Sequence, residues 1–109
     1  MSEIENFHAH VYYDAPNRAQ AEKLCAAAGQ KFGIKVGRMR DNPVGPHPRG
    51  SCQLTIGKEQ FSDVVSWLVL NRNGLTVFTH AQTGNALKDH TDHVIWLGPS
   101  ETLKLSALT

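Results

Sequence analysis

Two helical stretches, each lying between short segments of alternating polar and apolar residues, limit the folds open to this 109-residue chain. The first helix is predicted from Pro16 to about Phe32, with Gly33 as its end. The second is predicted from Glu59 to Arg72, with Asn73-Gly74 as its end. Both carry apolar residues at i, i+3, i+4 and i+7 spacing. The chain therefore contains two strand-helix-strand units in succession.

Four strands flank these helices, because alternating runs rich in β-branched and aromatic residues are typical of half-buried strands. They are predicted at Phe7 to Tyr13, Ile34 to Met39, Ser51 to Ile56 and Leu75 to His80. Two further apolar stretches, VIWLG and TLKLSAL, are candidates for short extra strands. The segment DNPVGPHPRG holds three prolines and two glycines, which exclude regular structure there.

This order of elements, βαββαβ, predicts a single domain over residues 1–109 with the ferredoxin-like α+β sandwich fold. In that arrangement we expect the first strand to lie between the third, parallel to it, and the fourth, antiparallel to it. The start of the first strand, the start of the third and the end of the fourth would then meet at one end of the sheet. Short extra strands would follow, in a dimeric, α/β barrel-like assembly.

All six histidines are expected to project toward that end of the sheet. In a strand, residues i and i+2 point to the same face, so the stretch HAHVYY places His8, His10 and Tyr12 together. The apolar alternate residues would pack on the helices. The opposite face would then be unusually polar, and it would comprise His8, His10, Tyr12, Gln53, Thr55, Phe78 and His80.

Composition excludes several classes of protein. The net charge is +1, and no basic run is interleaved with aromatic residues, so no nucleic-acid partner is expected. No apolar run approaches the roughly 20 residues that span a bilayer. The first fifteen residues contain acidic residues and histidines where a signal peptide would have an apolar segment. We expect a soluble, cytoplasmic protein with no membrane partner. Cys25 and Cys52 are expected to be reduced core thiols.

Histidines in an HxH pair on a strand are a pattern that suits a metal ion, because neutral imidazole is the commonest protein ligand. We predict His8, His10 and His80 as metal ligands, a facial set that suits non-haem iron with open positions for substrate and oxygen. Zinc and manganese remain alternatives to Fe(II). Gln53, Asp89 or Asp92 could act as a further partner of the site.

Three motifs in the same order, HAHVYYDA, GPHPRGSCQ and FTHAQTGNALKDHTDHVIWLG, resemble the DOPA 4,5-dioxygenase family over about residues 7 to 98. The resemblance implies a small ferredoxin-like extradiol dioxygenase that opens the ring of a catechol such as DOPA with non-haem Fe(II) and O2. It places the HxH motif at His8 and His10 and the third histidine at His80, followed by Thr83 and Gly84. It also implies acid/base roles near the ring. The residues for those roles would be His47, His90 and His93, and the family's DHxxH-like segment also includes Asp89.

Other polar residues near these motifs are candidates for contact with the substrate. Arg38, Arg40 and Arg49 flank the proline-rich loop and could bind a carboxylate, and Gln53 lies on the polar face. We therefore predict Gln53, Arg49 and Arg38 as substrate-binding residues. Tyr12 is a candidate hydrogen-bond donor in catalysis. Because the polar face needs a cover, we expect a homodimer, with TLKLSAL as an exchanged edge strand.

Two other functions remain open from the sequence. The same histidines could transfer protons without a metal, in an isomerase or decarboxylase acting on a small aromatic acid. Alternatively, the chain could form a non-catalytic dimer that binds a small aromatic molecule or a metal. Metal content separates the first alternative from the dioxygenase, and oxygen uptake separates the dioxygenase from both.

Overall fold

A computed structural model describes residues 3–109 as an α+β fold with its two long helices on one face of a five-stranded sheet. The order of elements is the predicted βαββαβ followed by one further strand. The strands are β1 (Asn6–Tyr13), β2 (Lys35–Val36), β3 (Gly50–Ile56), β4 (Val77–Gln82) and β5 (Val94–Leu97), and the α-helices are α1 (Arg18–Phe32), α2 (Phe61–Asn71) and α3 (Ala86–Asp89). Single 3-10 turns precede α1 and α2 and lie near the C-terminus.

Both long helices end where the sequence predicts. Gly33 closes α1 in the left-handed conformation, with φ of 66° and its N–H donated to the Gly29 carbonyl. After α2, Asn73 and Gly74 both have positive φ, 46° and 87°, and this turn leads the chain back to the sheet. The helices are thereby limited to lengths that cover one face of the strands.

The sheet has the strand order β2-β3-β1-β4-β5, and every neighbouring pair is antiparallel. The expectation that the first and third strands are parallel is therefore wrong: Phe7 pairs with Ile56, and Tyr13 pairs with Gly50. The crossover through α1 makes β1 and β2 parallel, so β3, which pairs antiparallel with β2, must oppose β1. The start of β3, with the loop that contains His47, lies at the far end of β1 from His8.

The core lies between the helices and one face of the sheet, as the alternation in the strands predicts. Ala9 and Val11 on β1 and Leu54 and Ile56 on β3 are fully buried there. Cys25 on α1 and Cys52 on β3 are free and buried, which confirms the expectation of reduced core thiols. No helix among the described residues is long and apolar enough to span a membrane.

The other face of the sheet is also covered, by a loop and a short helix instead of by the two long helices. On that face Tyr12 and Phe78 are completely buried, and His80 is 1% exposed. The cover comes from the proline-rich loop and the segment around α3, and the backbone N–H of Lys104 donates to the carbonyl of Pro46 at 2.8 Å. The chain itself thus closes the face for which a dimer partner was expected.

Two predicted strands differ from the structure. The second is limited to the two residues of β2, because a proline-rich loop follows soon after. VIWLG is confirmed as β5, whereas TLKLSAL is not a strand: Leu105–Leu108 forms a 3-10 turn, and Lys104 is bonded to the proline-rich loop. β5 instead occupies the edge of β4, and it forms one outer strand of the sheet.

Candidate functional site

Three histidines meet where β1 and β4 lie side by side. His8 is paired with His80 in the strand register, and His10 follows His8 on the same face of β1. One ring nitrogen from each of the three lies within 4.8 Å of the others. The structure therefore brings together the three residues that the sequence predicts as metal ligands.

Hydrogen bonds fix which nitrogen of His80 is available. Its Nδ1 lies 2.9 Å from the backbone carbonyl of Ala81, so Nδ1–H donates there and Nε2 keeps a free lone pair. That Nε2 is 3.1 Å from the Nε2 of His10. Imidazole nitrogens bind first-row metals at about 2.1 Å, so two of them at a right angle lie about 3.0 Å apart. The donor set therefore fits a divalent metal that prefers nitrogen ligands.

Burial keeps this cluster neutral. Desolvation lowers the pKa of His10 well below its ordinary value, and the neighbouring imidazoles of His47 and His80 lower it further. Desolvation is also the main cause that lowers the pKa of His80 to about 4, and it lowers the pKa of His8. Neutral imidazole is the form that binds a metal or accepts a proton, so the cluster is ready for either role near pH 7.

His47 reaches the cluster from the opposite end of the strands, because the proline-rich loop folds back over the sheet face. Its ring centroid lies 4.1 Å from that of His10, and its Nδ1 is 2.8 Å from the Tyr12 hydroxyl. Burial raises the pKa of Tyr12 and lowers the pKa of His47 to about 4. Either the Tyr12 O–H or the His47 Nδ1–H can donate in this hydrogen bond, and the O–H is the donor when His47 carries its proton on Nε2.

His90 completes a group of five histidines on this face. It follows α3, and its ring centroid is 4.1 Å from that of His80. Its Nδ1 lies 2.7 Å from the carbonyl of Ala86, so Nδ1–H donates and Nε2 is left as an acceptor. His90 thus presents an acceptor to this face, and His47 presents a donor when its Nδ1 accepts from Tyr12.

His93 is not brought into the histidine group. Its Nδ1 lies 2.9 Å from Oδ1 of Asp89, a carboxylate that is 2% exposed. Asp89 also accepts hydrogen bonds from the backbone N–H of Thr83 at 2.8 Å and from its hydroxyl at 2.6 Å. Asp92 is exposed and lies 3.4 Å from Lys88. This network fixes the turn between β4 and α3, and it thereby positions His90.

A cavity of about 480 Å³ opens beside His10 and His47. Gln53 and Arg38, two of the predicted substrate-binding residues, line it, and its other lining residues are Lys35, Gly37, Arg40, Val44 and Ser51. Arg49 does not line it. Its guanidinium lies 2.7 Å from Glu101 and 3.2 Å from Asp14, so its charge is already balanced by two carboxylates.

Comparison with known proteins places the chain in a family. Residues 7–107 match the Dopa 4,5-dioxygenase family. A DOPA 4,5-dioxygenase of Amanita muscaria is 34% identical over 98% of the chain. The chain belongs to the Dopa 4,5-dioxygenase family. The resemblance inferred from the three motifs is thereby confirmed.

Two further relatives extend the comparison for this family member. An uncharacterised 21.2 kDa protein of Botryotinia fuckeliana is 32% identical over 92% of the chain. The crystal structure of a candidate dioxygenase from Nostoc punctiforme is 43% identical, with a TM-score of 0.93 over 96% of this chain and 91% of that one. The chain spans 51% and 61% of the two curated relatives.

Two features of the site in this Dopa 4,5-dioxygenase family member were missed from the sequence. Lys35 was not considered as a cavity residue, although its place in the second strand, paired with Thr55, puts it on the polar face. Trp96, on β5, was not predicted as a site residue either, and its ring centroid lies 4.5 Å from that of Phe78, its partner on β4. In both cases the alternation of side chains between the two faces of the edge strand could have indicated that the residue lies on the polar face.

Proposed function

We propose that this protein is an extradiol dioxygenase that opens the ring of a catechol with non-haem Fe(II) and O2. The observation that carries the proposal is the meeting of His8, His10 and His80, with 3.1 Å between Nε2 of His10 and Nε2 of His80. Membership of the Dopa 4,5-dioxygenase family supports it. Zinc and manganese would fit the same nitrogen donors.

The three imidazoles would hold the metal by neutral nitrogens, so its full positive charge would remain available. When bound, Fe(II) would supply a Lewis acid for the two catechol oxygens and a binding place for dioxygen. Burial of the ligands in a cluster with aromatic neighbours limits the access of water, which strengthens electrostatic interactions there.

The remaining residues would divide the proton transfers between them. His90 keeps Nε2 as an acceptor, so it is the group suited to take a proton from a catechol hydroxyl. In the tautomer with its proton on Nε2, His47 accepts from the Tyr12 hydroxyl at Nδ1, 2.8 Å away, and it would be suited to donate to oxygen that gains negative charge. Tyr12 acts on the reaction through the orientation of His47.

Oxygen uptake by protein reconstituted anaerobically with Fe(II) tests the proposal, with DOPA and other catechols as substrates. We expect uptake that matches the formation of a yellow ring-opened semialdehyde. The controls are metal-free protein, zinc-loaded protein and the His80→Ala variant. Bound iron with no uptake from any catechol would contradict the proposal.

One alternative function is favoured by a specific contact. Nε2 of His10 and Nε2 of His80 lie within hydrogen-bond distance of each other, at 3.1 Å, so the pair could also pass a proton between them. A metal-free isomerase or decarboxylase would then retain its activity in EDTA and consume no oxygen. A non-catalytic binding protein would bind the aromatic molecule and leave it unchanged.

A further inference from the structure

We propose that the cavity beside the histidines selects a catechol whose side chain carries a carboxylate and no ammonium group. This inference rests on the proposed function, since it names the kind of catechol that the same site would accept. The roles of Lys35, Arg38 and Arg40 would be to bind and orient that carboxylate while the ring lies at His10 and His47.

The strand register places two of these cations on the same face as the histidines. Antiparallel partners share a face, so Gln53 lies beside His10 on that face. By the same rule Lys35, opposite Thr55, and Arg40, opposite Ser51, belong to the face that carries His8 and Tyr12. Both cations therefore lie one strand beyond the histidines, across β3.

An irregularity in the edge of the sheet opens the cavity between Lys35 and Arg40. Gly37 N–H donates to the Gln53 carbonyl, and Arg40 exchanges two backbone hydrogen bonds with Ser51. Gly37 and Arg40 are three positions apart, whereas their partners Gln53 and Ser51 are only two positions apart on β3. The edge of the sheet therefore contains a β-bulge with one extra residue. The bulge brings Arg38 to the rim, and Gly37 adds no side chain between Lys35 and Arg40.

The charges around this cavity are not balanced. Three cationic side chains line it, and no Asp or Glu is among its lining residues within the described part of the chain. Lys35, Arg38 and Arg40 form no ion pair with any residue from 3 to 109. A substrate carboxylate would therefore supply the missing negative charge.

The nearby carboxylates are engaged elsewhere. Asp41, next to Arg40 in sequence, accepts hydrogen bonds from Tyr13 at 2.9 Å and from Arg18 at 2.7 Å. Tyr13 belongs to the core on the helix side of the sheet. An ammonium group in the cavity would thus meet three like charges and no counterion. Zwitterionic DOPA would then bind less well than an otherwise similar catechol monocarboxylate.

Binding under nitrogen to the purified protein tests this inference without turnover. Isothermal titration calorimetry would compare 3,4-dihydroxyphenylpropionate, DOPA, 4-methylcatechol and dopamine, which share a catechol ring and differ in charge. We expect the propionate to bind about tenfold more tightly than dopamine, with the other two between them. The difference should decrease at high salt, because ions screen charges near the surface.

Variants assign the preference to the three cations. The combined variant Lys35→Gln, Arg38→Gln and Arg40→Gln should bind the four catechols with similar affinity. Lys58→Gln, which removes an exposed cation that does not line the cavity, should keep the preference. If the combined variant does not fold, as judged by circular dichroism, Lys35→Gln alone should show a smaller loss of preference.

Equal affinity for the propionate and dopamine in the unchanged protein would overturn the inference, as would an undiminished preference in the combined variant. The outcome is separable from that of the proposed function. A preference for the propionate without oxygen uptake would support the charge selection and contradict the dioxygenase proposal. Oxygen uptake without a charge preference would support the dioxygenase proposal and contradict the charge selection.

Discussion

Nε2 of His10 and Nε2 of His80 lie 3.1 Å apart, although 70 positions separate the two residues in the chain. Their strands are neighbours in the sheet, and the bond from Nδ1 of His80 to Ala81 turns its free nitrogen toward His10. In metal-free protein one of the two Nε2 atoms must carry a proton, which His10 donates to His80. To hold a metal through Nε2 as a neutral imidazole, His10 would have to carry that proton on Nδ1 instead.

Removal of a ligand should remove the metal. His10→Ala and His80→Ala should each weaken metal binding by more than about 100-fold, since even changes behind the ligands commonly cost 10- to 100-fold. His8→Ala should also weaken binding. Metal content after dialysis, measured by mass spectrometry, checks this, and His93→Ala is the matched control because His93 bonds to Asp89 instead. Full metal content in all three ligand variants would refute the assignment.

Tyr12→Phe should lower the catalytic rate while the metal stays bound. The change removes the hydroxyl that hydrogen-bonds to Nδ1 of His47 at 2.8 Å, so His47 loses the partner that orients its ring. We expect a decrease in kcat of about 10- to 100-fold. The free energy of unfolding should fall by about 1 to 2 kcal/mol because a buried nitrogen loses its partner. An unchanged kcat would show that Tyr12 has no part in the reaction.

Asp89→Asn should destabilise the turn that carries His90. Burial raises the pKa of this carboxyl, but hydrogen bonds from Thr83 and His93 hold the pKa below its usual range. The neutral amide cannot accept all three hydrogen bonds, and we expect a loss of about 2 to 4 kcal/mol in the free energy of unfolding. Urea denaturation measures it. Asp92→Asn, at an exposed carboxylate paired only with Lys88, should change stability by less than about 0.5 kcal/mol.

The metal-free protein should lose stability as the pH falls from 6.5 to 4. Burial lowers the pKa of both His47 and His80 from 6.5 to about 4, so in this interval the unfolded chain binds protons that the folded protein does not. The contribution of these two groups to the free energy of unfolding is complete above pH 6.5 and disappears as the pH approaches 4. Its upper bound is about 3 kcal/mol for each group. Denaturation in EDTA at several pH values checks this. A flat profile would show that these imidazoles are accessible to protons in the folded protein.

We also predict a homodimer, with twice the chain mass of 12.0 kDa. Exposed apolar side chains remain on the outer surface of α2, where Leu70 is 83% exposed and Val69 is 52% exposed. Static light scattering at micromolar concentration measures the mass in solution. A monomer would contradict the prediction, and it would agree with a histidine face that the chain covers by itself.

Several features could be predicted from local sequence alone, because local forces decide them. The helix ends at Gly33 and Asn73-Gly74 depend on backbone preferences of those residues. The division of each strand into an apolar and a polar face follows from the two-residue period, and it correctly placed His8 and His10 beside each other. The three motifs were sufficient to identify the family.

Long-range pairing and loop closure decided the rest. The direction of β3 depends on the whole path of the chain, and the error there placed the start of β3 at the wrong end of the sheet. His47 nevertheless joins the histidines, because its loop folds back and bonds to Tyr12. Of two histidines close in sequence, His90 contacts His80 and His93 does not, since a buried carboxylate holds His93. Sequence thus determined which residues are chemically able to form the site, and only tertiary contacts could select among them, because hydrogen bonds and packing across distant segments fix where each ring points.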